Sequence, residues 1–364
     1  MATPLTVESV LDKIDKVRAV RRGKFYLRED KITLSHGSGG KATHNLIEGV
    51  FAPAFSNPLL DRLEDSAILP LPGTDHRLAF TTDTYVVNPL FFPGGDIGQL
   101  AVHGTINDLA MGGAVPLGLS VGMILEEGLL IADLRRVVES MRAAALAAGV
   151  PIVTGDTKVV NRGSADKLFI NTAGVGLVPP GRRLSSYDVR PGDKVLVSGP
   201  VGDHGIAVML AREALDMELD VTSDTAALHT LAAALLAAAP DTRCLKDPTR
   251  GGLAPTLNEI ALSAGAAIAI DETAVPVRPA VRGACEILGL DPLTIANEGK
   301  LVAILPPQAA QAGLAALRAH PLGREAAIIG EVRAEPPGMV FLHTEIGGTR
   351  VLDMLVGDPL PRIC

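Results

Sequence analysis

Apolar positions recur along this chain with two periods, and the switches between them lay out its elements. Val7, Val10, Leu11, Ile14 and Val17 fall at helical spacing, predicting a short amphipathic helix within residues 1–22. Residues 31–34 have strand character and 42–50 a helical pattern. Residues 78–82 predict a strand that ends in Thr82-Asp83-Thr84. Over 94–112, the spacing of Ile97, Leu100, Ala101, Gly104, Leu109 and Ala110 predicts a closely packed helix. Ile131–Ala148 predicts a second, with Arg135, Arg136 and Arg142 on its solvent face and Gly149 as its stop. A buried strand is expected over 151–154 and another over 168–178. Past Pro179-Pro180-Gly181 the alternation restarts with a strand over 193–198 and a helix from about Ile206. An Ala-rich helix over 226–239, a helix ending at Ala264 and a strand over 301–305 follow.

Composition adds scale to this pattern. With 364 residues, 47% of them hydrophobic, and a Pro/Gly break at 179–181, two domains are expected, over 31–178 and 179–355. An extension over 1–30 precedes them and a flexible tail over 356–364 follows. Aromatics are 3% and Trp is absent, so the cores must be built from Ala, Val, Leu and Ile. A formal charge of −8 argues against a nucleic-acid backbone as partner. The longest apolar run, 225–239, contains His229 and is too short to span a bilayer. Asp12, Lys13, Asp15, Lys16, Arg18, Arg21 and Arg22 interrupt any signal-peptide core. A soluble, cytoplasmic protein is expected. Its three cysteines, Cys244, Cys285 and Cys364, form no CxxC and no Cys/His cluster, which suits a reducing compartment without structural zinc. Cys244 and Cys285 read as packed thiols.

The chemistry sits between the elements. Ser35-His36-Gly37-Ser38-Gly39-Gly40-Lys41 precedes a helix, and its glycines could let backbone N–H groups converge on an anion. The spacing is not that of a Walker A loop, and a flexible turn reads about equally well. Four aspartates stand at expected element ends or on a packed helix: Asp65, Asp83, Asp108 (beside Asn107) and Asp156 (in Thr154-Gly155-Asp156-Thr157-Lys158). Together they make an oxygen-rich set suited to Mg²⁺, which bridges phosphates with few protein carboxylates. Each taken singly is also explained by a turn or cap. In Lys246-Asp247-Pro248-Thr249-Arg250-Gly251-Gly252, which opens another helix, Arg250 and the two glycines at the helix start favour an anion. His103 and His204 read as structural.

The chain ends in Pro361-Arg362-Ile363-Cys364. A thiol a few bonds from a terminal carboxylate should have a raised pKa, poor for a resting thiolate but acceptable for a sulfur that carries a group. A tether ending in one nucleophile could be loaded at one site and processed at another. A frayed end that happens to carry Cys is the plainer reading of the tail alone.

Taken together, HGSGG, DSA, TTDT, GTINDLAMGGAVP, TGDTKVV, GPVGDHG, KDPTRGGLA, NEGK and terminal PRIC resemble the HypE family. These are carbamoyl dehydratases of the AIR-synthetase-like (PurM-like) ATPase superfamily. The resemblance runs from about Ile32 to Cys364 and leaves 1–30 unexplained. It implies two α+β domains, each with a mixed sheet, and N-terminal domains pairing into a barrel-like homodimer with ATP in an interface cleft. It implies that Asp65, Asp83, Asp108 and Asp156 handle Mg²⁺ and phosphates. Asn107, Asp247 and Arg250 would assist, with Thr82, Thr154 and Gly155 beside them, while the loop of His36, Gly37, Ser38, Gly39, Gly40 and Lys41 closes over the triphosphate. Cys364 would receive a carbamoyl group from the carbamoyltransferase HypF, and ATP would drive its dehydration to an S-cyanide. Glu298 would be the base and Lys158 a cationic partner; from the residues alone, Asn-Glu-Gly-Lys is also an ordinary turn and Lys158 a surface lysine. The cyano group would pass to iron on a HypC–HypD complex, becoming a ligand of the [NiFe] centre.

Within the superfamily, AIR synthetase and thiamine-monophosphate kinase have no use for a terminal thiol. Selenophosphate synthetase would want a reactive Cys near the first Gly-rich loop, where Ser35, His36 and Ser38 stand instead. A carrier that presents Cys364 without hydrolysing ATP is the alternative outside catalysis, and it has no need of four metal-binding aspartates.

Overall fold

The computed structural model describes residues 30–212, 219–354, 357, 360 and 362–364. The expected helix within 1–22 lies outside them.

Two mixed sheets carry the chain. The first has the order β1 (Ala67–Pro70), β2 (Arg77–Tyr85), β7 (Leu168–Val178), β5 (Val115–Glu126), β6 (Ile152–Val160). Its β5–β6 pair is parallel and the others antiparallel. A small ribbon, β3 (Phe91–Phe92) with β4 (Gly95–Asp96), leads into the main helices. The second sheet has the order β14 (Thr349–Val351), β13 (Met339–His343), β10 (Ala267–Asp271), β12 (Ala327–Arg333), β8 (Lys194–Val197), β11 (Val302–Leu305), β9 (Cys244–Lys246). The α+β class and a mixed sheet from each half are as the sequence led one to expect.

The helices are α1 (Lys41–Leu46), continued by a π-helical turn (Ile47–Phe51) and α2 (Ala52–Phe55). They are followed by α3 (Ile97–Met111), α4 (Ile131–Ala148), α5 (Asp203–Ala211), α6 (His229–Ala238), α7 (Leu253–Ala264), α8 (Pro279–Leu288) and α9 (Pro307–Ala319). Helix α3 is central. The Asp96 carboxylate caps its start by accepting from the Gly98 and Gln99 amides at 2.7 and 3.1 Å. The helix is buried on nearly every side, packing Ile97, Leu100 and Ile106 under the first sheet and Ala110 and Met111 against α6. Each large apolar side chain removed from water there contributes about 1.5–3 kcal/mol. Helix α4 ends where the periodicity stops, at Gly149 in the left-handed region.

The second sheet is covered on both faces, so its strands are apolar throughout. In β8 and β11, Val195, Val197, Val302 and Ile304 pack toward α7, while Leu196, Ala303 and Leu305 pack toward α6 and α9. Helices α3 and α4 cover one face of the first sheet. Strand β6, expected to be buried, is exposed along almost its whole length and is the sheet's open edge. Residues 31–34 form no strand; a 3-10 turn covers Leu34–Gly37. Strand β2 runs on to Tyr85, so Asp83 lies within a strand rather than past its end. The same holds for Asp156 in β6. Polar alternation hid both extensions, because a strand with one open or functional face carries Thr and Asp as readily as a turn does.

Candidate functional site

The last residues enter the protein instead of leaving it. Cys364 O accepts from the Val86 amide (3.2 Å) and Arg362 O from the Asn88 amide (3.3 Å), so the tail runs beside the segment that follows β2. Ile363 and Cys364 join the apolar cluster at the junction of α3, α5 and α8. Cys364 is 6% exposed, and the tail expected to be flexible is, at these residues, docked. Its Sγ accepts from Arg250 Nε at 3.3 Å. Burial pushes the thiol up to about 11, with the Arg250 charge opposing and Glu298 and Asp83 adding. The raised pKa expected from the terminal carboxylate thus has a different main cause.

Around that sulfur the fold gathers carboxyl groups far apart in sequence. Asp83 lies on the helix-covered face of β2 and accepts from the Tyr85 hydroxyl at 3.0 Å. Gly104 makes this possible, since a Cβ there would sit 2.1 Å from the Tyr85 oxygen. Asp108, on α3, lies 2.7 Å from the Thr81 hydroxyl. Asp65 pairs with Lys246 at 2.7 Å. Burial, followed by repulsion from neighbouring carboxylates, raises Asp108, pushes Asp247 up to about 8 and lifts Glu298 well above the carboxylate range. Asp83 is raised too, burial again leading. Asp247 Oδ2 and Glu298 Oε1 are buried without hydrogen-bond partners. Orphaned oxygens among mutually repelling carboxylates call for a cation or a donor from a ligand. The all-oxygen set fits Mg²⁺ in chemistry. Among the described residues, however, no three such side chains converge as a closed metal cage.

The first glycine-rich loop wraps the same arginine. Arg250 Nη1 donates to Gly37 O at 2.7 Å, and Gly39, at φ +73°, comes so close that a Cβ would meet Arg250 O at 2.6 Å. The loop's amides do not converge on an open anion site in this conformation. Gly39 N donates to Thr43 Oγ1 (3.0 Å) and Gly40 N to Ser38 Oγ (3.3 Å). His36 is buried and accepts from the Thr33 amide through Nδ1 (3.1 Å), turning toward the loop itself. Lys41 is exposed at the start of α1.

Other expected site residues stand elsewhere. The Asn107 amide is engaged by backbone: Nδ2 donates to Ala226 O (3.1 Å) and Glu298 O (3.4 Å), and Oδ1 accepts from Leu228 N (2.7 Å). It fixes the segment bearing Glu298 rather than offering its amide to a ligand. Thr82, Thr154, Gly155, Asp156 and Lys158 belong to the open side of the first sheet and its edge. Asp156 shares a register row with Gly122, Asn171 and Thr84, three strand spacings or roughly 14 Å across the sheet. It pairs with Lys158 at 2.5 Å, both exposed. Within one chain, therefore, neither Asp156 nor Lys158 stands among the groups around Cys364. Thr81 and Lys246 stand in the sequence motifs without a role assigned to them, and Tyr85 and Asp224 lie outside those motifs. Asp224 accepts from the Glu298 amide (3.0 Å) and pairs with Lys300 (2.9 Å), holding the Glu298 loop from behind. Lys246 and Lys300 flank the motif acids and could have been suspected on that ground; Tyr85 and Asp224 carry no such signal.

This two-sheet α+β protein, whose buried acids come from both halves, matches the AIR-synthase-related family. The family models agree, the N-terminal domain matching residues 63–178 and the C-terminal domain residues 190–343. The carbamoyl dehydratase HypE of Azotobacter vinelandii is 57% identical over 338 residues, covering 93% of this chain and 98% of that one. A crystal structure of HypE in complex with ATP superposes with a TM-score of 0.77 at 52% identity, covering 92% of this chain and all of that one. A chain of a HypE–HypF complex gives 0.81 at 46% identity over 85% of this chain and 99% of its own. The chain belongs to the HypE carbamoyl dehydratases of hydrogenase maturation within the AIR-synthase-related family.

Proposed function

We propose that the chain binds ATP with Mg²⁺ and dehydrates an S-carbamoyl group on Cys364 to an S-cyanide, destined to be the CN ligand of a [NiFe] hydrogenase iron. The observation that carries this reading is the docked sulfur of Cys364, buried beside Arg250 and within electrostatic reach of Glu298 and Asp83. An amide oxygen is a poor leaving group; phosphorylated, it departs as phosphate. Loss of both N–H protons then leaves C≡N on sulfur. Glu298 suits removal of a proton from that nitrogen: its Oε1 has no partner, and burial with repulsion from neighbouring carboxylates raises its pKa, which strengthens it as a base. Arg250 steadies charge beside the sulfur, and the apolar walls from Ile363, Ile295 and Ala296 keep water from an activated intermediate. Asp65, Asp83 and Asp108 would hold Mg²⁺, which when bound neutralises phosphate charge, with Asp247 completing the acidic wall. The loop 36–41 would have to rearrange its internal amide bonds to close on phosphates.

A homodimer would bring the remaining residues into use. The open face and edge of the first sheet expose Phe80, Val153 and Val159, the last two at 65% and 70%. An uncovered strand edge of this kind is a pairing template. Asp156, Lys158 and Thr154 stand on it and would face the second copy's cleft. Val159→Asp is expected to turn a species near twice 37.8 kDa into one near 37.8 kDa in sedimentation, with loss of ATP turnover. Unchanged mass at dilute concentration would remove this edge from the interface. HypF as carbamoyl donor and a HypC–HypD iron complex as acceptor complete the reading, in the cytoplasm. Among the described residues no helix is long and apolar enough to cross a membrane.

The reading is tested by mass spectrometry of the C-terminal peptide after incubation with a HypF-type carbamoyltransferase, carbamoyl phosphate and ATP. A cyanated Cys364 is expected; a peptide left unmodified would sink the proposal. A pure carrier would stop at the carbamoyl adduct and hydrolyse no ATP. Asp83→Asn separates the two further. It removes a charge disfavoured chiefly by burial and also by Asp65, so the melting temperature should hold or rise, while ATP turnover falls on the order of a hundredfold or more. Unchanged turnover would take Asp83 out of the site.

A further inference from the structure

His204, in the Gly-Pro-Val-Gly-Asp-His-Gly stretch that the chemistry above leaves idle, is fully buried on α5. Both ring nitrogens are engaged. Nε2 lies 2.8 Å from Ile363 O and Nδ1 lies 2.8 Å from Ser223 Oγ. A carbonyl can only accept, so Nε2 must carry the proton, and burial, which lowers the imidazole's pKa and disfavours the charged ring, leaves Nδ1 bare. Ser223 then has to donate its hydroxyl hydrogen to Nδ1, and its oxygen accepts the Thr225 amide at 3.2 Å. The ring stands edge-on to Phe92, with centroids 5.4 Å apart and planes at 85°. Every degree of freedom of this imidazole is fixed, and its one donor points at the carbonyl just before Cys364.

We infer that His204, oriented by Ser223, is a positioning residue that holds Cys364 in the dehydration site through the Ile363 carbonyl. The inference deepens the proposed function and rests on it for its purpose, though not for its test. A sulfur 6% exposed and pressed against Arg250 is out of reach of another protein's active site, so loading requires the tail to undock. The other side chains on the tail are less protected. Arg212 grips Arg362 O (2.5 Å), and Arg362 pairs with Asp166 and reaches Val86 O (3.3 Å), all at partly exposed positions where water competes. The bond from His204 is the buried one. Breaking it leaves the buried imidazole without a partner, so it weighs on the docked-to-undocked ratio alongside the Arg250 contact and the backbone bonds from Val86 and Asn88.

The test is alkylation of the full-length chain by iodoacetamide, read by mass spectrometry at each cysteine. It needs no carbamoyl chemistry, so it succeeds or fails independently of the proposed function. Docked Cys364 is shielded, so its labelling follows the undocked fraction. His204→Leu keeps most of the volume and deletes the donor. It should raise the Cys364 rate on the order of tenfold, with buried Cys244 and Cys285 unchanged as internal controls. His204→Gln can still place an N–H toward Ile363 O and should stay within about threefold of the parent rate. Ser223→Ala leaves the ring packing alone but frees the tautomer, and should raise the Cys364 rate several-fold; it decides the matter if His204→Leu does not fold. Equal Cys364 rates in parent and donor-deleted chains would overturn the inference. So would equal acceleration in the Leu and Gln variants, or acceleration of all three cysteines together, which would mean a loosened fold.

Discussion

Cys364→Ala protein is expected to emerge from incubation with carbamoyltransferase, carbamoyl phosphate and ATP with no adduct anywhere on the chain. The reason lies in how the three thiols are held. Cys244 is a buried strand residue of the second sheet whose pKa is pushed up to about 12 by burial, and Cys285 sits on α8 at about 11 for the same reason. Releasing either would disrupt a core. Cys364 is also buried and also raised, to about 11, but its shield is a short end of chain held by a few hydrogen bonds. It can leave without unfolding anything, and in water its thiol returns toward an ordinary pKa. Nucleotide binding in the Ala variant should remain near that of the parent, because the acids come from β2, α3 and the segment after β9. Stability should change little, the loss being the sulfur's contact with Arg250 and its small share of the apolar cluster. Calorimetric titration with ATP and peptide mass spectrometry separate the two jobs. A carbamoyl adduct on Cys244 or Cys285 in the variant would show that the tail is not the acceptor.

Glu298→Gln is expected to stop the reaction one stage later. The tail can still be loaded, since loading takes place outside the site, but the nitrogen lacks its base. Carbamoylated Cys364 should accumulate while the cyanated form appears about a hundredfold or more slowly. The substitution is nearly isosteric, and the side chain's one structural debt is small: Oε1 has no partner, and the loop is held by backbone bonds to Asp224 and Asn107. The repulsion that lifts the Glu298 pKa, from Asp224, Asp247 and Asp83 on top of burial, vanishes with the charge. The fold should therefore be as stable as the parent or more so in thermal melts. Normal cyanation in the Gln variant would place the base elsewhere, and a variant that cannot be loaded would point to a role in tail binding instead.

The residues that decide this chemistry differ in how far the chain betrays them. Ile131–Ala148 and Leu168–Val178 were legible to the residue, because α4 and β7 each bury one continuous face and repeat at 3.6 and 2. Helix α7, with its two glycines ahead and Gly265 behind, was legible at its end for the same local reason. Strands β2 and β6 were cut short: one lends a face to the site and the other is an open edge, and there polar residues break the alternation without ending the strand. The aspartates were found individually, as an oxygen-rich set, but not sorted.

By itself, then, the sequence carried the acid motifs and a terminal thiol, the family they resemble and, through that resemblance, the α+β class. Those follow from residue identity along short stretches. The tertiary structure alone decided which acids meet. Asp83, Asp108, Asp247 and Glu298 come together across more than a hundred residues because α3 packs between the first sheet and α6, whereas Asp156 and Lys158 stay on the open edge of the first sheet. It also decided that Cys364 rests inward and that His204 holds it there. Side-chain partners so distant in sequence are set by packing, which no local pattern encodes.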